Sequence, residues 1–250
     1  MPDIQKKILV HALLAGICFV SALAQNSDSH GTELRPAMLV WKVGMDDAGG
    51  PSHMVETITA SQWEGHETWR VTHFPQDPAN SNINDYDIYD LDRRSLAPLR
   101  SVSNREDGYL ELRFSKSGVA IHAKTAGADR SEQVDLHTAV RPEGPGLTAF
   151  VATLPLMVGY KLNYELVDRW SGHGNARIKK MMLEVKSRAV MGTAMGNNDS
   201  YELSIHPADR SFEITESVLA QGLHWPLRMT YVRGATRANS EVLAIAVSEK

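Results

Sequence analysis

The side chains that could do chemistry are thinly placed along this chain. Histidines occur at His53, His66, His73, His122, His137, His173, His206 and His224. A zinc site wants short fixed spacings such as H-x-H or H-E-x-x-H, which aim two imidazoles at one point. Neither occurs, and Gly65-His66-Glu67 lacks the second histidine. Scattered surface or rim histidines are expected, with no metal site. Residues 170–174 read W-S-G-H-G and set Ser171 close to His173. A serine hydrolase signals itself instead as G-x-S-x-G at a strand-to-helix turn. Residues two apart in a glycine turn rarely meet as nucleophile and base, so an exposed hairpin loop is expected there. Asp85, Asp87, Asp90 and Asp92 form the densest acidic run. At alternate strand positions Asp85 shares a face with Asp87, and Asp90 with Asp92. Paired carboxylates suit a glycosidase or a calcium site, but the twelve-residue calcium loop is missing. Tyr86, Ile88 and Leu91 make the run read as a strand with a solvated acidic face. The phosphate-loop pattern is missing too: residues 192–196, G-T-A-M-G, do not fit G-x-x-x-x-G-K-[ST]. Neither catalytic residues nor a cofactor are expected. A hydrolase working through the acidic strand or His173 is the least supported reading.

A binding role has better material. Met157, Met181, Met182, Met191, Met195 and Met229 lie in or beside expected strands. Thioethers adapt their shape and suit apolar pockets. Trp170, Trp225 and Tyr231 could add walls. Met181, Met229, Trp170, Trp225 and Tyr231 are therefore the candidate ligand-binding set. The competing expectation is an ordinary core with methionine as filler.

The elements that must position these residues are strands. From Ala37 onward, short runs alternate apolar and polar residues between turn residues. In residues 108–115, Leu110, Leu112 and Phe114 face one way, and Tyr109, Glu111 and Arg113 the other. Val119, Ile121 and Ala123 repeat the pattern after Ser117-Gly118, so residues 108–124 read as a hairpin. Similar alternation marks 162–166, 201–205 and 227–231. Further strands are expected at 37–43, 54–60, 67–74, 85–91, 98–105, 132–138, 178–190, 211–217 and 241–247. One short helix is expected at 147–154. The fold class is all-β: a single domain with a large curved antiparallel sheet or open barrel and one short helix. Such a sheet must cover its own apolar face by curling or by folding into two layers.

The chain opens with an export pattern. Lys6 and Lys7 precede an apolar stretch at 8–20, and Ala22 and Ala24 stand where a signal peptidase reads small residues. A spanning helix needs about 20 apolar residues, more than this stretch supplies. Residues 1–24 are expected to be a signal peptide cut after Ala24, residues 25–36 a flexible leader, and 37–250 the β domain. Cys18 is the only cysteine; it sits inside the apolar stretch behind Ile17, which argues against lipidation. Cleavage would leave no thiol, excluding thiol catalysis, disulfides and cysteine-ligated zinc. The net charge of −4, with both signs interspersed, gives no footprint for nucleic acid or an anionic membrane. The expected location is the periplasm or the secreted fraction.

Three stretches carry a family likeness. Residues 92–101, D-R-R-S-L-A-P-L-R-S, look like a D-x-x-T-L-x-P-x-x-S signature, with Ser95 in the threonine position and Pro98 and Ser101 in place. The hairpin from Gly108 follows. Residues 154–160, L-P-L-M-V-G-Y, look like an L-P-L-x-x-G-Y segment carrying Pro155, Gly159 and Tyr160. Together they resemble the domain-of-unknown-function family 3108 of bacterial envelope proteins, over residues 37–205. The resemblance implies an exported protein with a large curved sheet, similar to periplasmic lipoprotein-carrier folds, and brings no catalytic residues. The signature residues also have a structural reading as a corner: Asp92 accepts backbone N–H groups, Pro98 starts a strand and Gly159 makes a tight turn. The leading function is a non-enzymatic exported protein binding a lipid or other apolar ligand in the sheet's concave face. The alternative is a structural or assembly module of the envelope with a protein partner.

Overall fold

Alternation of apolar and polar residues builds fourteen strands and one helix in a computed structural model that describes residues 30–45, 52–76, 85–106, 108–168 and 176–248. The signal peptide, residues 25–29 of the leader, and the Ser171–His173 turn with Trp170 lie outside the described residues. One wing of the sheet comprises β1 (Ala37–Met45), β2 (Ser52–Trp63), β3 (His66–Pro75), β4 (Tyr86–Asp92), β5 (Pro98–Arg105), β6 (Gly108–Phe114), β7 (Gly118–Thr125) and β8 (Ala128–Asp135). After helix α1 (Pro145–Ala152) comes the other wing: β9 (Lys161–Asp168), β10 (Arg177–Thr193), β11 (Gly196–Pro207), β12 (Glu213–Leu219), β13 (Pro226–Arg233) and β14 (Thr236–Val247). The order is β8-β7-β6-β5-β4-β3-β2-β1-β14-β13-β12-β11-β10-β9, antiparallel throughout. Neighbours in it are consecutive in sequence except β1 and β14, which join the wings.

The expected strands appear, with one shift. The strand expected at 132–138 runs instead from Ala128 to Asp135, because its register with β7 pairs Thr125 with Ala128 and Gly118 with Asp135. Its first residues are polar and exposed, which hid them from an apolar-alternation reading; charged edge strands resist pairing with other chains.

The connection from β8 to β9 must carry the chain from one end of the sheet to the other. It does so through the interior, where a backbone has to satisfy its own hydrogen bonds, and a helix does that. Pro145 sits in the first turn of α1, and residues 146–152 are all buried. The helix packs on the curved inner face with Leu39, Ile58, Val71, Tyr89, Leu183 and Leu203 in one core. A second, smaller core holds Leu112, Val119 and Ile121 from one end of the sheet, Val167 from the other, and Val140 between. The ends share this core without pairing, so the sheet is curved but unclosed. Residues around Val140 line the β9 edge, where the Arg141 amide donates to the Glu165 carbonyl at 2.7 Å.

Gly146 marks the closest approach of α1 to the sheet. A Cβ there would stand 2.8 Å from Pro142 Cβ and 3.1 Å from the buried Tyr89 ring. Gly146→Ala should therefore destabilise by about 1–2 kcal/mol, read as a lower urea midpoint, although alanine favours helix.

Candidate functional site

The two signature segments are built as turns. Asp92 ends β4, and its Oδ1 accepts from the Ser95 amide at 2.8 Å, the Ser95 hydroxyl at 2.8 Å and the Arg94 amide at 3.1 Å. Partial burial works against the charge, but these hydrogen bonds outweigh it and hold the Asp92 carboxyl below its ordinary value. They also hold Leu96 at φ 55°, in the left-handed region. Pro98 opens β5, and Ser101 pairs with Tyr89 on the inner face. Gly159, at φ 85°, makes the turn after α1. The Gly159 amide donates to the Val185 carbonyl at 3.0 Å, and Val185 donates back to Tyr160 at 2.9 Å. Asp92→Ala should cost about 1–2 kcal/mol in chemical denaturation while leaving far-UV circular dichroism unchanged.

The acidic strand is not a solvated face. Asp87 is 4 % exposed and Asp90 0 %. Arg70 Nε donates to Asp90 Oδ1 at 2.7 Å and Arg105 to Asp87 at 2.5 Å. Arg100 donates to Glu111 at 2.8 Å, and Arg113 to the same oxygen at 3.1 Å. The partners come from β3, β5 and β6, so the run alone could not reveal them. The alternation hides the opposite sides: Asp90 joins Arg70 and Arg100 on the outer face, while Asp87 lies on the face of Tyr89.

The candidate ligand set is dispersed. Met181 is buried in the main core. Met229 is half-buried opposite Glu216, and Tyr231 stacks on Phe212 with centroids 5.7 Å apart. Trp225 lines a cleft. No group of three or more His, Cys, Asp or Glu side chains could hold a metal among the described residues, and none of their helices is long and apolar enough to cross a membrane.

The concave face expected to be open is occupied by α1. Its floor carries two carboxylates the sequence reading missed. Glu56 lies on the inner face of β2 between Met54 and Ile58, and Glu216 on the inner face of β12 between Ile214 and Val218. They are 2 % and 4 % exposed. Thr148 of α1 donates to Glu56 at 3.5 Å, a long bond. Glu56 Oε1, the Tyr164 hydroxyl and Trp41 Nε1 are sealed without hydrogen-bond partners. Burial pushes the Glu56 carboxyl up to about 8; the Thr148 hydroxyl opposes this and the nearby Glu216 adds to it. Burial raises Glu216 to about 7. Burial and then Glu216 raise the Tyr164 phenol. A sequence signal existed: in both strands a glutamate occupies the parity of its apolar neighbours.

An open space lies on one rim of the curved sheet, where β1 begins and β14 ends. A cleft of about 660 Å³ is bounded by the C-terminal end of α1 and following turn (Ala152 to Pro155), the loop from Gly222 to Trp225, and His30, Glu33, Arg35 and Val247. The His224 amide donates to the Ala152 carbonyl at 2.9 Å, tying the loop to the helix end. His224 Nδ1 sits 2.7 Å from the Leu219 carbonyl, and its ring packs edge-on against Tyr201. A shallower hollow of about 400 Å³ lies over β6 to β8 beside Glu111, Arg113 and His122.

The fold and this site define a class: an all-β, unclosed curved sheet with one internal helix and a cleft at the helix end. No protein-family model matches the chain, and no curated protein matches it. No family model therefore supports the resemblance to family 3108. Among solved structures, the chain is similar to a β-barrel-like protein of domain-of-unknown-function family DUF1849 from Brucella abortus, at 10 % identity and TM-score 0.49, covering 86 % of this chain and 99 % of that one. It is also similar to a Bacteroides fragilis protein described as exported with a YmcC-like fold, at 11 % identity and TM-score 0.29, covering 88 % and 99 %. A third is a Vibrio parahaemolyticus domain described as an outer membrane lipoprotein-sorting protein, at 6 % identity and TM-score 0.34, covering 93 % and 91 %.

Proposed function

We propose that this is an exported, non-catalytic protein that binds an apolar or amphipathic ligand in the cleft at the end of α1. The cleft carries the reading. Its volume, about 660 Å³, lies within the range of small-molecule sites. Leu154, Pro155, Leu223 and Trp225 give it apolar walls, and His30, Glu33, Arg35 and His224 give it a polar rim. An acyl chain on the walls with a polar head at the rim would satisfy both. The export pattern at residues 1–24 sets the compartment in which such a ligand would be met. The test is native mass spectrometry of protein purified from its own envelope, paired with titration of a fluorescent acyl-chain probe. Co-purifying lipid and saturable probe binding, weakened at least about tenfold by Leu223→Arg, are expected. Unsaturable binding that the substitution leaves unchanged would refute the reading.

One observation favours the alternative of an assembly module with a protein partner. Met157 and Val158, in the turn after α1, are 64 % and 55 % exposed and stand beside the cleft residue Pro155. A stoichiometric protein in the same mass spectra, lost on Met157→Ser with Val158→Ser, would support it.

A further inference from the structure

We propose that the buried pair Glu56 and Glu216 forms a pH latch on α1: protonated, the pair lets the helix seat in the sheet, and ionised, it drives the helix off and opens the cleft at its end. The inference rests on the cleft reading above and adds its regulation.

Geometry supplies the latch. Thr148 of α1 meets Glu56 directly, and Glu216, on the inner face of β12, lies within electrostatic reach of Glu56. A buried carboxylate is tolerated only when neutral or matched by a cation. The nearest described cations have partners of their own: Arg141 lies over the Phe150 ring of α1, 5.2 Å from its centroid. His73, opposite Glu56 in the β2–β3 register, lies 3.9 Å from Asp87, and Arg105 holds that same Asp87. Lys179 on β10 pairs with Asp168 at 3.0 Å. β9 offers the Tyr164 phenol, β1 the Trp41 indole N–H and β14 Ser240, none a cation. Glu143, just before α1, would add negative charge. Among the described residues no cation is paired with either acid, so the neutral forms are favoured, as their raised proton affinities also indicate.

Transmission is short. Thr148 and Ala152 are four residues apart, on one face of α1 one turn apart. Ala152 both lines the cleft and accepts the His224 amide. The helix is lightly fastened at its start: Gly144 makes no side-chain cap, and the first turn has no acidic residue. Ionising both acids places one charge at Thr148 and a second, like charge within its electrostatic reach, and water admitted at that face of the helix relieves both.

The test is hydrogen exchange of the α1 amides on the full chain, corrected for intrinsic base catalysis, from about pH 6 to about pH 9. Protection should fall by about tenfold or more over that span. Glu56→Gln with Glu216→Gln keeps both side chains' shape and should flatten the profile. Each single variant should shift the transition and reduce its span, which preserves the test if the double variant does not fold. Unchanged wild-type protection across the range, or a transition in the variants identical to wild type, would overturn the latch. Acyl-probe affinity measured in parallel separates the two ideas. Absent probe binding at every pH overturns the cleft reading and the transmission to it, whereas helix exchange decides the latch by itself.

Discussion

The free energy of unfolding should fall by on the order of 5 kcal/mol as pH rises from the ordinary carboxyl range through about 7 and then about 8, where Glu216 and Glu56 ionise in the folded protein. Over that window the unfolded chain has already released both protons and the folded chain has not. The native state therefore binds more protons, and stability declines with rising pH. It is fully present below the ordinary glutamate value and lost as pH climbs through the folded values. Glu216 releases first, and its charge then helps to hold the proton on Glu56. Opening of α1 limits the total, since a lifted helix lets water reach the acids before global unfolding. On the acid side the sign reverses. Asp92 is held below its ordinary value by bonds from Ser95 and Arg94, against its partial burial. Glu111 is likewise held low by Arg100 and Arg113, against its partial burial. Their contributions are lost as pH falls through those depressed values. Urea titrations across the range should trace a dome whose alkaline limb flattens in Glu56→Gln with Glu216→Gln. An unchanged alkaline limb would show that the acids are solvated.

Most of the sheet was legible because period-two alternation is local. Leu110, Leu112 and Phe114 need no knowledge of their neighbours to declare a face. The turn chemistry was legible for the same reason: Asp92, Pro98 and Gly159 act within a few residues of themselves. What failed was everything decided across strands. Asp87 and Asp90 look solvated until β3 and β5 bring Arg70, Arg105 and Arg100 beside them. The openness of the concave face could not be read either, because the path of the β8–β9 connection is a matter of topology. Once the two ends of the sheet are set apart, the chain must cross, and the short apolar helix is the segment that can cross inside. Met181 then becomes core, and Trp225 reaches the cleft only because its loop is tied to Ala152. Glu56 and Glu216 are an intermediate case. Alternation places them inward, but an inward glutamate in a single strand reads as a break in the pattern rather than as a pair.

Removing Arg100 should destabilise the protein by about 2 kcal/mol, because it takes the second of two cations from a fully buried carboxylate and the shorter guanidinium bond from Glu111. Asp90 is 0 % exposed, with Arg70 at its Oδ1 and Arg100 Nη1 3.8 Å from its Oδ2. That oxygen is sealed without a hydrogen bond, so Arg100→Ala removes the charge facing it and takes the closer of the two guanidinium bonds from Glu111. The loss comes from desolvation without compensation, not from the modest net attraction of the pair. That distinction is measurable. Arg100→Met with Asp90→Asn removes cation and anion together while keeping much of the volume, and should recover most of the stability lost in Arg100→Ala. Arg113→Ala should cost far less, since Arg113 and its second partner Glu64 are each more than half exposed. A double-mutant cycle over Arg100 and Asp90 in urea gives the coupling directly. Coupling near zero would place the strength of this wing in the strand pairing and the Tyr89 core rather than in its outer-face ion ladder.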